Sequence, residues 1–376
     1  MSSSFQSFLS KARSASIFER GELVDAFMKT QKAKGFPEID HTRVDFIYSG
    51  AVKDRIAVTG DHMHWSAVGE VMNTLEGTDF HYLGKHFEPD ARLDYKFIVD
   101  GEWIIDPLNP HVCAGGFGLN SEVRMPQYVP SPDIEPLASE TGGVLQTLTV
   151  KSRALSSSRE LQIYLPAAYN ETSGPFPVIF FNDGPEYLSL AMAKHVLDNN
   201  IASQKIDPVV AIFVPPENRE QEFRLTKLEA YAKFIVQEVM PIVRTRWNIT
   251  LLPAQCAIIG ASDGGHAALW LSLEHPAVFG MAGMQSATIT DRLILQLEKS
   301  RLNGRRFALD CGRYDLTGFL EEFHIVSELL RSRGGNVSTM EWNEGHSWGN
   351  WRAHLGSVLQ HLFPCTANDS QMSITQ

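Results

Sequence analysis

The sequence has few cysteines and no pattern that would give them a chemical role. Only four occur among 376 residues, at positions 113, 256, 311 and 365, and none forms a C-x-x-C pair. Two of them fall in predicted buried strands, which favours core thiols over disulfides or metal ligands. No other metal-ligand constellation occurs in the sequence, and we expect neither a metal nor a cofactor.

Long apolar runs and an excess of positive charge are also missing. No stretch reaches the length of a transmembrane helix, and residues 1–22 contain no continuous apolar segment followed by a small-residue cleavage site. A formal net charge of -11 disfavours nucleic acid or an anionic membrane surface as a partner. These features predict a cytoplasmic protein without nucleic-acid or membrane partners.

Hydrophobic patterning divides the chain into successive segments. Residues 1–38 have helical periodicity, whereas residues 39–130 consist of short alternating strands separated by turn residues. This predicts an N-terminal helical segment followed by a small all-β, immunoglobulin-like sandwich. Residues 131–142, rich in Pro, Ser, Glu and Gly, read as a linker, and the polar residues 366–376 as a disordered tail.

Between these, residues 143–365 alternate strands with helices. Such alternation predicts an α/β domain with a mostly parallel sheet covered on both faces. Reactive groups in such a sheet belong at the carboxyl ends of its strands.

The stretch QCAIIGASDGGHAALWLSLEHP, at residues 255–276, contains the most informative motif. A short buried strand is followed by the G-x-S-x-G sequence at 260–264 and then directly by a helix. This context is typical of a nucleophile elbow, in which Ser262 occupies a sharp strained turn. The helix that follows directs free N–H groups, that of Asp263 first among them, toward any anion formed beside Ser262.

An elbow requires an acid and then a histidine further along the chain, each following a strand. Asp310 lies inside the strand FALDCG, where its side chain would point into the sheet, and Asp315 lies just beyond that strand. We therefore predict Asp315 as the acid, with Asp310 as the alternative. His346 follows the strand VSTMEW in the loop NEGHSW and completes the order Ser, Asp, His.

Five blocks of the chain resemble, in order, the esterase D-like family of α/β-hydrolases. They are GGVLQTLTVKSRALSSSRELQIYLPAAY, FPVIFFNDGPEY, NREQEFRLTKLEAYAKFIVQEVMPIVRTRWNI, GASDGGHAALWLSLEHPAVFG and NEGHSWGNWRAHL. That family includes enterochelin (ferric siderophore) esterases, feruloyl and acetylxylan esterases, and mycolyltransferases. The preceding stretch YKFIVDGEWIIDPLNP resembles small E-set (CBM48-like) β-modules, and the combined arrangement looks most like that of the enterochelin esterases.

The resemblance implies roles for individual residues. The family's pattern of Gly, two residues and then Asp falls on Gly312 and Asp315, and its G-H-x-x-x-x-W block falls on His346 and Trp351. Its second oxyanion-hole donor follows an Asp-Gly pair, a position that here holds Pro185 and has no N–H. We therefore expect either that the N–H of Gly184 or Glu186 replaces it or that the oxyanion hole is weaker.

Substrate-binding candidates flank these positions at strand ends. Asn182 and Tyr187 lie on the oxyanion loop, Arg219 and Glu222 follow the strand PVVAIFVPP, and Trp348 and Trp351 lie beside His346. A local salt bridge ordering the loop is the alternative for Arg219 and Glu222. Core packing is the alternative for the two tryptophans.

Taken together, the resemblance implies a serine carboxylic-ester hydrolase acting on a small-molecule ester. An enterochelin-like siderophore or similar aryl-acyl ester is the first expectation, and feruloyl or acetyl groups of plant oligosaccharides are the second. A non-catalytic carbohydrate-binding or scaffold protein with a decayed hydrolase domain is the alternative from another class. In the β-module we expect Trp65, Trp103, Tyr82 and Tyr95 to serve packing, with glucan binding as the alternative.

Overall fold

The computed structural model describes residues 4–137, 142–170 and 174–365, and the chain divides into two compact units. Unit 1 comprises Met1–Pro130, Gly312–Thr317 and Trp342–Asn350, and unit 2 comprises Ser131–Cys311, Gly318–Glu341 and Trp351–Gln376. The sequence division assigned the two short later segments to the α/β domain. They group with unit 1 because they bond to it, for example through Asn343 Nδ2, which donates to Asp90 Oδ1 at 2.7 Å.

Unit 1 begins with two amphipathic helices, α1 (Ser4–Ser14) and α2 (Ile17–Lys32). Their aromatic side chains form a cluster in which Phe8 and Phe27 stack at 4.2 Å between ring centroids. Phe5 and Phe80 are fully buried in the same cluster. Burying side chains of this size contributes about 2–3 kcal/mol each, which fixes the helices on the strand that carries Phe80.

The strands of unit 1 form two sheets. One has the order β1-β2-β6-β5, and the other has the order β4-β3-β7-β10-β9, with β8 paired to β7. All the pairings recorded in these two sheets are antiparallel. The strands are β1 (Glu38–Asp40), β2 (Arg43–Ser49), β3 (Ile56–Gly60), β4 (Glu70–Val71), β5 (Asn73–Thr74), β6 (Phe80–His86), β7 (Arg92–Val99), β8 (Glu102–Ile104), β9 (Val112–Gly115) and β10 (Gly118–Arg124).

The hairpin between β7 and β8 forms at Asp100-Gly101, a dipeptide typical of two-residue hairpin turns. Val99 pairs with Glu102, so Asp100 and Gly101 are the two turn residues, with φ of 51° and 89°. Positive φ at both central positions is what a type I′ turn requires. The carboxylate of Asp100 accepts N–H bonds from residues 53–55, which ties this turn to the segment before β3.

Most residues of the third sheet belong to unit 2, and the sheet has the order β11-β12-β14-β13-β15-β16-β17-β18. The strands from β14 to β17 pair in parallel, whereas β12 is antiparallel to β14 and β11 to β12. The apolar residues of β13, β14 and β15 are almost fully buried, as expected for central strands. The strands are β11 (Val144–Ser152), β12 (Ser157–Leu165), β13 (Val178–Asn182), β14 (Val210–Val214), β15 (Cys256–Ala261), β16 (Met281–Gln285), β17 (Arg306–Tyr314) and β18 (Asn336–Gly345).

Helices connect these strands along the chain. They are α3 (Gly184–Ser189), α4 (Ala193–Ala202), α5 (Arg219–Phe223), α6 (Leu228–Lys233), α7 (Met240–Arg246), α8 (Asp263–Glu274), α9 (Asp291–Lys299), α10 (Phe319–Ser332) and α11 (Trp348–Leu362).

The stretch AYAKFIVQEVMPIVRTRW, whose apolar residues recur at helical spacing, is interrupted by a π-helical segment. The π turns span Phe234–Val239, between α6 and α7. Pro241 has no N–H to donate and its ring crowds the carbonyl four residues earlier, so a regular α-helical ladder cannot run through this point.

The predicted linker, in its described part, packs on α4. Asn199 Nδ2 donates to the carbonyls of Asp133 and Glu135, and Asn200 Nδ2 donates to the Asp133 carboxylate. Residues 138–141 of that linker and the predicted tail 366–376 lie outside the described residues. The Pro- and Ser-rich composition of the linker does not predict these contacts, because their partners lie some 66 positions away in the chain.

Candidate active site

Ser262 lies in a strained turn between β15 and α8. Its φ and ψ are 55° and -122°, a conformation that side chains rarely adopt. The turn leaves no room for a side chain at the flanking glycines. A Cβ on Gly260 would lie 2.1 Å from the carbonyl oxygen of Gly264, and a Cβ on Gly264 would lie 2.9 Å from Asp183 Oδ2. The steric demand inferred from the G-x-S-x-G pattern is thus a property of the fold.

Hydrogen bonds on both sides hold the strained backbone of Ser262. Its N–H donates to the carbonyl of Gln285 at 2.9 Å, and its carbonyl accepts from the N–H of Thr288 at 3.0 Å. The same carbonyl accepts from the N–H of His266 at 3.1 Å, which is the first i→i-4 bond of α8. Strain of this kind persists only where the surroundings over-determine the conformation.

The N–H groups of Asp263 and Gly264 precede that first helical bond. Groups in this position have no intrahelical acceptor, and together they form the positive end of the helix dipole. Asp263 is partly exposed, and its carboxylate accepts from Arg224 Nε at 3.1 Å. The first turn of α8 can therefore stabilise a negative oxygen beside Ser262.

The loop after β13 forms a second helix N-terminus in unit 2. Asp183 has φ of 56° and caps α3, and the N–H of Tyr187 donates to its carbonyl at 2.9 Å. The N–H groups of Gly184 and Glu186 precede this bond, with Pro185 between them. A Cβ on Gly184 would lie 2.4 Å from the backbone of Phe213, so only glycine fits there.

Asn182 joins this loop to the elbow and is fully buried. Its Nδ2 donates to the carbonyl of Gly264 at 2.8 Å, and its Oδ1 accepts from the Tyr231 hydroxyl at 2.7 Å. Both ends of the amide are thus engaged with the protein. Its predicted contact with substrate stays a prediction.

Arg219, predicted to bind substrate, lies on α5 and grips Asp183. Arg219 Nε is 2.8 Å from Asp183 Oδ1, and Nη2 is 2.9 Å from Oδ2 and 2.9 Å from the carbonyl of Ala261. Burial raises the pKa of Asp183 to about 6, although Arg219 lowers it. The guanidinium therefore links the loop after β13 to the residue before Ser262.

Glu222 has a different partner from Arg219. Its carboxylate is fully buried and accepts from Arg159 Nη2 at 2.7 Å and from the N–H groups of Glu217 and Asn218. The bonds from Glu217 and Asn218 lie within the loop, but the salt bridge joins Glu222 to Arg159, 63 positions away, and is not the local bridge of the alternative. Its predicted role in substrate binding stays a prediction.

Replacing Arg219 by alanine is expected to lower the free energy of unfolding by about 2 kcal/mol at pH 8, because a buried carboxylate loses its cation. Without Arg219 the pKa of Asp183 rises above about 6. A carboxyl group whose pKa is higher in the folded than in the unfolded protein stabilises the fold while it is protonated. This contribution is complete below pH 3.8, the pKa of the unfolded chain, and is lost as the pH rises through the pKa of the folded protein. The loss should therefore be smaller at pH 5 than at pH 8 in urea denaturation.

The matched control is Arg292→Ala, which removes an exposed pair with Glu229 in the same unit. Exposed pairs contribute about 0–1 kcal/mol. Equal losses for the two variants, or a loss for Arg219→Ala that does not change with pH, would contradict the role assigned to the Arg219–Asp183 pair.

Asp315 and His346 meet in unit 1. Their Oδ1 and Nδ1 atoms are 2.6 Å apart, and Asp315 Oδ1 also accepts the N–H of Leu316 at 2.7 Å. The Asp315 side chain is 1% exposed and that of His346 is 14% exposed. A carboxylate can only accept, so Nδ1 carries the proton and, in the neutral ring, Nε2 keeps a lone pair. This arrangement suits a general base.

Asp310, the alternative acid, is buried in unit 2 within a different network. Its Oδ2 accepts from Gln285 Nε2 at 2.8 Å, and Gln285 Oε1 accepts from the Tyr187 hydroxyl. Burial, with Asp310 nearby, raises the pKa of Tyr187 well above its usual range. The carbonyl of Gln285 also accepts the N–H of Ser262, so this network of side chains fixes the residue that bonds to the elbow.

The two predicted substrate-binding tryptophans are largely buried. Trp351 Nε1 donates to Ser286 Oγ at 3.1 Å in unit 2, and Trp348 lies against Gly116 in unit 1. Both side chains fit the packing alternative, and their contact with substrate stays a prediction. Tyr187, predicted as a pocket residue, is also fully buried.

Sequence reasoning overlooked Asp183 and Gln285. One signal was available for Asp183: an acid directly after the wholly apolar strand β13 must either find a cation or become neutral. Nothing local marks Gln285, because its partners Tyr187 and Asp310 lie 98 and 25 positions away.

Within the described ranges, no group of three or more His, Cys, Asp or Glu side chains is arranged to hold a metal ion. Among the helices described, none combines the length and the apolar character needed to cross a membrane.

A serine at a strand–turn–helix elbow and an Asp–His pair are the parts from which α/β-hydrolases build their active sites. Residues 152–362 match the family described as "Putative esterase". Because the match covers more than half of the chain, the chain belongs to this esterase family.

Relatives and a solved structure agree with this membership. The protein YbbA of Bacillus subtilis, itself uncharacterized, is 28% identical over 147 residues, which are 35% of this chain and 58% of YbbA. An iron(III) enterobactin esterase of Escherichia coli is 27% identical over 190 residues, which are 49% of this chain and 46% of that protein. The chain thus spans about half the length of these two curated relatives.

The crystal structure of the enterobactin esterase from Shigella flexneri, determined in the presence of enterobactin, superimposes with a TM-score of 0.73. The identity is 21%, and the alignment covers 86% of this chain and 94% of that chain. The protein therefore shares the α/β-hydrolase-like fold of that esterase.

Proposed function

We propose that the protein is a serine carboxylic-ester hydrolase in which Ser262 is the nucleophile, His346 the general base and Asp315 the acid that orients it. The observation that carries the proposal is the strained backbone of Ser262 at the N-terminus of α8. The Asp315–His346 pair at 2.6 Å and membership of the esterase family support it.

In the first half-reaction, Ser262 Oγ attacks the ester carbonyl carbon and His346 Nε2 takes the hydroxyl proton. The carbonyl π electrons move to oxygen, and the C–O bond to the alcohol then breaks. His346 returns the proton to the departing alkoxide. Asp315 holds the Nδ1–H tautomer and stabilises the imidazolium, without itself becoming protonated.

In the second half-reaction, water replaces the alcohol. His346 Nε2 takes a proton from the water, and the water oxygen attacks the acyl carbon. The bond to Ser262 Oγ breaks, the serine recovers its proton from His346, and the carboxylic acid leaves. The chemistry is carried entirely by side chains and backbone donors of the chain.

The developing oxyanion needs backbone donors, and we assign one to the N–H of Asp263. The second comes from α3, through the N–H of Gly184 or Glu186. Both groups lie in a helical first turn without an intrahelical acceptor, which favours this role.

Replacing Pro185 by alanine adds a third first-turn N–H to α3, so we expect kcat to be equal to or higher than that of the wild type. Ester turnover of the two proteins under saturating substrate checks this. A large loss of kcat with unchanged stability would mean that the proline ring itself shapes the oxyanion hole, and would remove Gly184 and Glu186 as sufficient donors.

For the substrate we propose an enterochelin-like siderophore ester or a similar aryl-acyl ester. Iron(III) enterobactin esterase is among the relatives, and the shared fold covers 86% of the chain. A panel of enterobactin, methyl ferulate and acetylated xylo-oligosaccharide tests the choice. The highest kcat/KM on enterobactin supports it, whereas preference for methyl ferulate or the acetylated sugar selects the feruloyl or acetyl alternative.

The proposed activity itself is tested with a fluorophosphonate, which labels an activated serine whatever the natural substrate. We expect one label per chain, located at Ser262 by peptide mass spectrometry. A folded protein that is not labelled would exclude the enzyme and favour a non-catalytic carbohydrate-binding or scaffold protein.

We also infer that the strands of unit 1 form an E-set, immunoglobulin-like module and that helices cover both faces of the sheet in unit 2. In the module, Tyr82 and Tyr95 are buried in the cores. Trp103 is 41% exposed and stacks on Trp65 at 6.3 Å between ring centroids. We infer that a glucan would bind at this pair. Native gels containing glycogen test this inference: the wild type should be retarded, and Trp103→Ala should not.

A further inference from the structure

The 61–65 turn of unit 1, with the sequence DHMHW, contacts the candidate acid directly. His64 Nδ1 is 2.5 Å from the carbonyl oxygen of Asp315, 251 positions further along the chain. A carbonyl oxygen can only accept, so Nδ1 of His64 carries the hydrogen and donates it. The bond acts on the main chain of Asp315 and leaves its carboxylate to His346.

The backbone of this turn is strained at two successive residues, His64 and Trp65. His64 has φ of 50° and ψ of 34°, and Trp65 has φ of 56°, so two successive non-glycine residues adopt positive φ. Each such residue costs about 1–3 kcal/mol and is typical of sites where geometry serves function. In the left-handed conformation at position 64, the imidazole reaches the Asp315 carbonyl.

Asp61, the first residue of the turn, anchors it from within. Its Oδ1 accepts from Trp65 Nε1 at 2.9 Å, and its Oδ2 accepts from the N–H of Asp94 at 2.7 Å. The same carboxylate packs on Gly345, where a Cβ would lie 2.0 Å from Asp61 Cγ. The turn therefore contacts both Asp315 and the residue that precedes His346.

Arg92 fixes the other side of the histidine loop. Its guanidinium is fully buried between Asp94 and Glu122, at 2.6 and 2.9 Å, and its Nη1 donates to Ser347 Oγ at 3.2 Å. Ser347 directly follows His346. The loop 345–347 is thus bonded to, or packed on, side chains of β7 and of the 61–65 turn.

We propose that His64 is a positioning residue of the active site: its Nδ1–H bond to the Asp315 carbonyl sets the angle at which the Asp315 carboxylate meets His346. The N-terminal module then contributes to catalysis through the 61–65 turn. This proposal rests on the proposed ester-hydrolase function. His64 acts through Asp315 and takes no proton from the substrate.

The decisive variants are His64→Gly and His64→Asn. Glycine adopts positive φ without strain, so His64→Gly should fold at least as well as the wild type while losing the donor. Asparagine also tolerates this conformation, and its Nδ2 can occupy the place of the imidazole Nδ1. Gln204→Gly, at another exposed position with positive φ (53°), controls for the effect of glycine alone.

A misplacement of a catalytic group by about 1 Å can cost about 100-fold in rate. We expect His64→Gly to lower kcat for p-nitrophenyl acetate about tenfold and to slow fluorophosphonate labelling to the same degree, with KM within about twofold. The acid limb of its kcat/KM profile should move to lower pH, because a misaligned Asp315 stabilises the imidazolium less. His64→Asn should recover most of the rate, and Gln204→Gly should match the wild type.

Wild-type rates and an unchanged pH profile in His64→Gly would overturn the proposal, as would a His64→Asn variant as slow as His64→Gly. These results differ from failure of the proposed function, in which the wild type itself is neither labelled nor active. A drop in kcat that follows only a drop in thermal stability, with the pH profile unchanged, would reduce His64 to a structural contact and also overturn the proposal.

Discussion

Replacing Ser262 by alanine is expected to lower ester turnover by at least about 10⁴-fold, the largest effect of any substitution proposed for this chain. In the proposed mechanism the hydroxyl oxygen of Ser262 forms the bond to the acyl carbon, and alanine has no such oxygen. Residual turnover of bound ester should remain, because the backbone donors proposed at Asp263 and α3 would still polarise the carbonyl. The measurement is kcat/KM for p-nitrophenyl acetate, with folding checked by circular dichroism.

Ser272→Ala is the matched control for this loss. Ser272 lies on the same helix, α8, and is buried, with its hydroxyl bonded to the carbonyl of Leu269. Its removal should leave turnover within about twofold, since a neutral side-chain bond contributes only about 1 kcal/mol to stability. A Ser262→Ala protein that hydrolyses the ester as fast as Ser272→Ala would show that the reaction does not use the elbow.

The elbow could be predicted from sequence because its motif is local. A short apolar strand, two glycines around Ser262 and an immediate helix are all visible within residues 255–276. The steric reason for Gly260 acts between residues four positions apart, whereas that for Gly264 involves Asp183 and is not visible in the motif. The alternation of strands and helices likewise predicted the run of parallel strands from β14 to β17.

The partners of the charged residues near the elbow could not be predicted in the same way. Sequence reasoning linked Arg219 and Glu222 through their proximity in the chain. In the structure they bond separately, to Asp183 at 36 positions and to Arg159 at 63 positions. Which buried carboxylate meets which guanidinium depends on strand order, and strand order is a property of the whole sheet.

The grouping of residues 312–317 and 342–350 with the N-terminal unit also could not be predicted from the sequence. These segments follow β-strand patterns of the α/β domain, so composition and periodicity assign them there. They instead bond with other residues of unit 1: the main-chain carbonyl of Asp315 accepts from His64 Nδ1, and the hydroxyl of Tyr314 donates to the Glu88 carboxylate. Single-residue contacts across more than 200 positions leave no periodic signal.

Replacing Asp315 by asparagine is expected to lower kcat by about 10⁴-fold, the second-largest effect. Asparagine keeps the shape of the side chain but loses the charge that, in the proposed mechanism, stabilises the imidazolium of His346. Its amide can also present an N–H toward Nδ1, which would favour the wrong tautomer and place the proton on Nε2. Ser262 would then have no base, while the fold should remain intact.

Asp310→Asn is the matched substitution at the alternative acid. An asparagine at this position still offers an oxygen to Gln285 Nε2, so the network of Tyr187 and Gln285 under the elbow should survive. We therefore expect activity within about threefold of the wild type, because the bond is a neutral amide–amide contact of about 1 kcal/mol. The two variants thus separate a charge proposed to act on the base from a carboxylate that bonds to Gln285 within the sheet. The opposite ranking, with Asp310→Asn inactive and Asp315→Asn near wild type, would move the acid to the strand and leave the 2.6 Å contact of Asp315 with His346 without a catalytic role.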